Sequence, residues 1–335
     1  MKSRWLVLAL AGPVLAQPST TFSVDVNLVR VPCIVTRANG APVKNLRKED
    51  FIVLEDGKPR QVKYLWRETD LPLTIVVLVD ITYPHITMSR LGPHPNQYTE
   101  DILQVLRQVF SANDRMAIVG VSDQARLVTD STGSLEELRS GAAAVRRRVG
   151  TPILGDPCTG ERPGPWRGFG DPCGFSVLWD AVYFSAEVKL LPQTGRKALL
   201  LLTGGLDTGS DHTLRDAIAA CQRAGTMVYS VRDPEQYEAH AESWEALTGR
   251  SVEYSYLSEK PDLERISRET GGLAFDRATA TLPAVLDRIQ ADLRSQYVLG
   301  FEPANAHSPR KLHKLQVKVT LPDLKVRAQD RYYTQ

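Results

Sequence analysis

The chain has 335 residues, of which 42% are apolar and 24% are charged, values typical of a folded globular protein. This composition excludes collagen-like, coiled-coil and disordered chains, and the length allows one large domain or two ordinary ones. The formal charge of +2 becomes zero once Lys2 and Arg4 are set aside, because 39 basic and 39 acidic residues remain. Net charge therefore gives no support to a nucleic-acid or membrane-surface partner.

Residues 1–16 have the pattern of a secretory signal peptide. A basic start and an apolar stretch lead to Val14 and Ala16, which occupy the small positions of a cleavage site before Gln17. The segment is too short and too interrupted by Gly12 to cross a bilayer, and no later apolar run reaches that length. A buried terminal helix or an uncleaved anchor is the alternative. We expect a periplasmic or secreted protein that starts at Gln17 and has no integral membrane segment.

Both ends of the remaining chain are predicted to form strands. Phe22, Val24 and Val26 alternate with polar residues, as in a half-buried strand, and Asp56-Gly57 is a hairpin-turn signal. Similar alternation recurs near the C-terminus. We therefore predict an N-terminal β region over residues 20–68 and a C-terminal β region over 293–335, packed together as a small β-sandwich.

The middle of the chain, residues 71–292, has a different pattern. Continuous apolar runs such as 75–79 and 198–202 suit strands that are buried on both faces of a parallel sheet. Amphipathic helical patterns separate these runs. The alternation predicts an α/β fold with a doubly wound, mostly parallel sheet and helices on both faces.

Polar residues follow the predicted strands where an open α/β sheet binds its ligands. Asp80 and Thr82 follow the first strand, Ser176 precedes a helix, and Asp207 follows the strand at 198–202. This arrangement resembles the von Willebrand factor type A domain, in which an Asp-x-Ser-x-Ser loop, a Thr and a later Asp form a metal-ion-dependent adhesion site. The resemblance implies hard oxygen ligands for Mg²⁺, with one position left for a carboxylate of the partner.

The resemblance extends beyond these loops to a bacterial family of type-A-domain-related proteins with flanking β regions. The matching segments are residues 24–35, 43–46, 49–59, 293–301, 326–328 and 332–333. They cover the chain from about residue 22 to 334. The implied function is protein binding without catalysis.

The site departs from the family pattern in its ligands. Thr82 and Ser176 keep hydroxyls, but Pro84 replaces a Ser, Gly204 replaces the later Asp, and Asp207 matches a second acid three positions on. Losing a carboxylate weakens the capture of a divalent ion. We expect a degenerate site with weak Mg²⁺ binding at most and no firmly held cofactor. Compensation by Asp207 or by water is the alternative.

The four cysteines suit an oxidising compartment and lack the spacing of a zinc site. Cys158 and Cys173 lie in repeated Asp-Pro-Cys settings around a turn-rich stretch, so we expect a disulfide between them. Cys33 lies in an alternating strand and Cys221 in an amphipathic helix. Each is expected to be a buried free thiol.

These patterns favour an exported, non-enzymatic, adhesion-type module that binds an unidentified protein and no nucleic acid. Its binding face is expected in loops that contain Tyr83, His85, Trp166 and His212. One alternative is a metal-dependent hydrolase that uses Asp80, Asp207 and His212. The other is a structural assembly subunit that binds through the β-sandwich.

Overall fold

The computed structural model describes residues 28–67, 71–81, 95–122, 124–149, 176–235, 259–304 and 311–334. The expected signal peptide, the expected Cys158–Cys173 bridge and Thr82 lie outside these ranges. So do Tyr83, His85 and Trp166, three of the residues expected on the binding face.

Four strands come first along the described chain. They are β1 (Val29–Arg37), β2 (Phe51–Glu55), β3 (Lys58–Arg60) and β4 (Val62–Arg67), with a 3₁₀ turn at Lys48–Asp50. β2 and β3 form the hairpin that the sequence predicted at Asp56-Gly57. Asp56 has φ 49° and Gly57 has φ 80°. Asp-Gly suits this turn because both central residues must adopt positive φ.

Strands and helices alternate through the middle of the chain. The first half contains β5 (Leu73–Asp80), α1 (Pro95–Gln108), β6 (Arg115–Val121), β7 (Ala125–Thr132), α2 (Leu135–Val149) and α3 (Leu178–Phe184) with a π-helical extension (Ser185–Leu190). The second half contains β8 (Arg196–Thr203), α4 (Leu214–Ala224), β9 (Met227–Arg232), α5 (Glu259–Glu269), β10 (Ala274–Asp276) and α6 (Leu282–Leu293). No helix in the described ranges is both long enough and apolar enough to cross a bilayer.

One six-stranded sheet unites these strands in the order β10-β9-β8-β5-β6-β7. If β5 to β10 are renumbered 1 to 6 and the sheet is read from its β7 edge, the strand order is 3-2-1-4-5-6. This is the order of a doubly wound fold. All neighbours are parallel except β6 and β7. The predicted α/β class with a mostly parallel sheet is therefore confirmed.

The central strand β5 shows why its sequence is an uninterrupted apolar run. All eight of its residues are buried. Ile75, Val77 and Val79 pack with α1, α2 and α6, whereas Val76 and Leu78 pack with α3, α4 and α5. A strand covered on both faces gains from an apolar side chain at every position, and each such burial contributes roughly 1.5–3 kcal/mol.

Strand β7 was not predicted. It pairs with β6 alone, in antiparallel orientation, and its residues are half-buried or exposed. An edge strand has one partner and one uncovered face, so it does not require a continuous apolar run. Its polar sequence, ARLVTDST, accordingly gave no strong strand signal.

The last four strands pair with the first four. They are β11 (Tyr297–Phe301), β12 (Leu312–Val319), β13 (Leu324–Ala328) and β14 (Arg331–Tyr333). Two antiparallel sheets result, with orders β13-β1-β11-β4 and β14-β12-β2-β3. Buried residues of both sheets, among them Val31, Val53 and Leu299, form one hydrophobic cluster.

Strand β1 also joins this cluster to the α/β core. Val31, Cys33 and Val35 face the antiparallel sheets, whereas Ile34 packs in the α/β core. Cys33 and Cys221 are both buried free thiols, as the sequence predicted. Burial raises the pKa of both, to about 12 for Cys221.

The turn after α5 brings backbone segments unusually close. A Cβ on Gly272 would lie 1.8 Å from the carbonyl oxygen of Val228, and a Cβ on Gly271 would lie 2.8 Å from Ala328 Cα. Only glycine fits such an approach, because backbone atoms cannot rotate away as a flexible side chain can.

We predict that Gly272→Ala lowers the free energy of unfolding by about 2 kcal/mol, the usual effect of overpacking. Gly133→Ala is the matched control, because its Cβ would meet Asp114 at an ordinary 3.6 Å. The control should change stability by less than about 0.5 kcal/mol. Urea denaturation of the two variants measures both values, and equal effects would contradict the prediction.

Candidate functional site

The candidate site begins at the carboxyl ends of the adjacent strands β5 and β8. Asp80 ends β5 and Thr203 ends β8, and each is only 1% exposed. The Thr203 hydroxyl donates to Asp80 Oδ2 at 2.7 Å and accepts the Gly205 N–H at 2.9 Å. The Asp80 carboxylate is thus partnered by the protein where the two strands end.

Ser176 lies two residues before the start of α3 and is fully buried. Its backbone is fixed by the following loop: its N–H donates to Thr208 Oγ1, and its carbonyl accepts from the N–H groups of Thr208 and Gly209. Among the residues that the structure describes, none forms a hydrogen bond with the Ser176 hydroxyl. Leaving such a group unpartnered costs about 1–3 kcal/mol, so it is a position where a ligand oxygen or water would be stabilised.

Asp207 acts as a cap for α3. The residue at the N-cap position, Val177, has no side-chain acceptor to offer. Asp207 Oδ1 instead accepts the Trp179 N–H at 3.2 Å, and Ser210 Oγ accepts the Asp180 N–H at 3.1 Å. Acceptors at a helix N-terminus satisfy its free N–H groups, and a carboxylate also interacts favourably with the dipole.

The Asp207 carboxyl has a perturbed acidity. Burial raises its pKa to about 6, and the nearby Asp180 carboxylate acts in the same direction. Hydrogen bonds from Ser210 Oγ at 2.5 Å and from Trp179 oppose this rise because they stabilise the charged form.

His212 is held by α3. Its Nδ1 lies 2.7 Å from Asp180 Oδ1, its backbone N–H donates to the same oxygen at 2.8 Å, and its ring stacks on Tyr183 with centroids 3.8 Å apart. Asp180 also accepts the Asp211 N–H. Helix α4 is capped by Thr213, which forms a capping box with Asp216.

The structure divides the predicted site residues into two groups. Asp80 is joined to Thr203, whereas Asp207 and His212 are joined to the first turn of α3. Ser176 lies between them in the chain and is tied to the same loop as Asp207. The described contacts therefore do not assemble Asp80, Asp207 and His212 as a catalytic set.

The described residues do not fit a tightly held divalent cation. Such an ion needs about six oxygen ligands, with carboxylates to balance its charge. Asp80 could offer one carboxylate and Ser176 one hydroxyl, but Gly204 has no side chain and Asp207 is engaged by α3. Within the described ranges, no three His, Cys, Asp or Glu side chains group closely enough to hold a metal.

Sequence reasoning missed four residues that shape this region. Thr203, Thr208, Ser210 and Asp180 supply the hydrogen bonds that fix Asp80, Ser176, Asp207 and His212. A signal existed for Thr203, because it is the polar residue that ends a buried apolar run. Thr208 and Asp180 act through contacts about 30 residues apart, and so does Ser210 where it accepts from Asp180, which the local pattern does not reveal.

No protein-family model and no curated protein matches the chain. Among solved structures, it is similar to a von Willebrand factor type A protein from Catenulispora acidiphila, with 11% identity, 93% of this chain and 74% of that chain covered, and a TM-score of 0.43. It is also similar to BatB from Bacteroides thetaiotaomicron, with 12% identity, 67% and 100% covered, and a TM-score of 0.39.

A third similar structure is proximal thread matrix protein 1 from the mussel byssus, with a zinc-occupied MIDAS motif. The identity is 11%, the coverage 70% of this chain and 48% of that chain, and the TM-score 0.41. The Catenulispora acidiphila structure is described as a von Willebrand factor type A protein, the family that the sequence resembles. At such identities and TM-scores, these structures assign no role to any residue of this chain.

Asp207 predicts a pH dependence of stability. Its folded-state pKa lies above that of the unfolded chain, so the folded state binds the proton more tightly. Its contribution is complete below about pH 4 and is lost as the pH rises through about 6. Because Asp207 is partly exposed, we expect a loss of about 1–2 kcal/mol rather than the full value for the shift.

Asp207→Asn removes the charge and keeps an oxygen for Trp179 and Ser210. We predict that the variant lacks this fall in stability between pH 4 and 7.5, as measured by urea midpoints. Asp211→Asn, which changes an exposed carboxylate of the same loop, should keep the wild-type profile. A wild-type slope in Asp207→Asn would refute the assignment.

Proposed function

We propose that this chain is an exported, non-enzymatic module that binds a protein partner through the loops at the carboxyl ends of its parallel strands. The proposal rests on the doubly wound sheet and on the position of Asp80, Ser176, Asp207 and His212 at one end of it. Ligands of open α/β sheets bind at this end. The two antiparallel sheets are proposed to form a β-sandwich that supports the domain.

A degenerate metal-ion-dependent adhesion site is part of this proposal. The observation that carries it is the use of both acids by the protein itself: Asp80 accepts from Thr203, and Asp207 caps α3. Gly204 leaves no carboxylate between them. A partner is therefore proposed to bind by direct contacts with the loops and without a bridging divalent ion.

The hydrolase alternative receives less support from the contacts. His212 would have to act together with Asp80 and Asp207, yet the contacts that its ring makes among the described residues are with Asp180 and Tyr183. A general base must lie within hydrogen-bond reach of the reacting group and beside its nucleophile. A screen of ester, phosphoester and peptide substrates with added Mg²⁺ tests this alternative, and turnover lost in Asp80→Asn would establish it.

Export and partner binding are tested on native material. The proposal expects the exported protein to start at Gln17 and expects capture of a partner from the cell envelope to persist in chelator. If the protein is instead an assembly subunit that binds through the antiparallel sheets, a change at Tyr64 should abolish capture of the partner. Tyr64 lies on β4 and is 49% exposed. Capture should survive the change His212→Ala, which alters the proposed face.

Metal affinity gives the sharpest test of the degenerate site. With one carboxylate at hand, we predict Mg²⁺ binding too weak to saturate at about millimolar concentration, the weak end for oxygen-ligand sites. Gly204→Asp should strengthen binding at least about tenfold, because it adds a second charged ligand beside Asp80. Calorimetry on both proteins measures the change.

Gly204→Asn is the matched control, since it adds a side chain of equal size without the charge. It should bind Mg²⁺ no more tightly than the wild type. Tight binding by the wild-type protein that Asp80→Ala abolishes would contradict the proposal. So would an unchanged affinity in Gly204→Asp.

A further inference from the structure

A cavity of about 520 Å³ lies at the amino-terminal ends of the parallel strands. Asp80 lies at the other end of these strands. The walls of the cavity come from the start of β1, the segment that leads into β8, the end of α4, β14, and the region of β11 with Pro303 after it. The volume is within the usual range for sites that bind small molecules. Nothing in the proposed protein-binding function uses this cavity.

The charged residues on its walls all have the same sign. The described residues that line it include Arg30, Arg196, Lys197 and Arg223, and none of them is Asp or Glu. The chain as a whole has nearly equal numbers of acidic and basic residues. The presence of four basic residues and no acidic residue on the described walls is therefore a local feature. It does not follow from the composition of the chain.

Two of the four cations have evident structural roles. Arg223 is paired with Glu187 through its Nε at 2.7 Å, and its guanidinium lies over Tyr333. Arg196 donates to the carbonyls of Leu71 at 3.1 Å and Leu293 at 2.6 Å. These contacts explain why Arg196 and Arg223 are present.

The neighbours described for the other two cations are uncharged. Arg30 lies over the Trp66 ring at 5.4 Å, and Lys197 Nζ donates to the Leu191 carbonyl at 3.3 Å. Among the described residues, neither forms an ion pair with a carboxylate. Burial and the charge of Arg30 lower the pKa of Lys197 to about 8. The two cations therefore repel each other across a partly desolvated space.

We propose that this cavity binds a small oxyanion with at least two negative charges, carried by phosphate or carboxylate groups, between Arg30 and Lys197. An arginine presents paired donors to such groups, and a lysine adds a compact charge. Thr194 and Gln193 also line the cavity and carry neutral donor groups. Bound anion would replace the repulsion with two charge-assisted contacts.

The test is thermal unfolding of the full chain in inorganic phosphate and in citrate, against sodium chloride of equal ionic strength. An anion at ten times its Kd should raise Tm by about 2–4 °C. The larger rise, with phosphate or with citrate, identifies phosphoryl or carboxylate chemistry. No rise beyond that in chloride would overturn the proposal, because chloride supplies only screening.

Two variants make the test specific. Arg30→Gln and Lys197→Gln should each abolish the anion-dependent rise. Arg37→Gln is the matched control, since Arg37 is an exposed arginine on the same strand that does not line the cavity. A rise that persists in Arg30→Gln, which changes an exposed residue, would place the anion elsewhere and overturn the proposal.

Discussion

The hydrogen bond from the Thr203 hydroxyl to the Asp80 carboxylate is the interaction on which the account of this site depends. Asp80 ends a strand whose residues are all buried, so its carboxylate is far from water and needs a donor. Thr203 provides that donor at 2.7 Å from the neighbouring strand. A residue of the type that binds metal in the resembled family is thereby satisfied within the protein. The loop after β8 can then use Asp207 to cap α3.

The fold separates this site from the basic cavity by the length of the central sheet. Asp80 and Thr203 lie at the carboxyl ends of their strands, and Lys197 lies at the amino end of β8. Strand β1 links the regions, because Ile34 packs in the α/β core while Val31 packs between the antiparallel sheets. Occupancy of the cavity would therefore stabilise the junction of the two cores, at the end of the sheet away from Asp80.

The sequence was most informative where packing dictates residue type. The buried runs in β5 and β8 identified the parallel sheet, and the positions of Asp80 and Asp207 followed from the ends of those strands. The sequence was uninformative where a side chain forms a hydrogen bond with a residue that is distant in the chain. The pairing of His212 with Asp180 spans 32 residues, and α3 is capped from a distant loop. The edge strand β7 was missed because its exposure removes the apolar pattern.

A double-mutant cycle measures the central interaction directly. Unfolding free energies of wild type, Asp80→Asn, Thr203→Val and the double variant are determined in chelator and again in excess Mg²⁺. The account predicts a coupling energy of about 1–3 kcal/mol between the two residues, unchanged by Mg²⁺. A coupling energy below about 0.5 kcal/mol would contradict the account. So would a wild-type stability that rises with Mg²⁺ when the stability of Asp80→Asn does not. Either result would show that a metal ion, and not Thr203, satisfies Asp80.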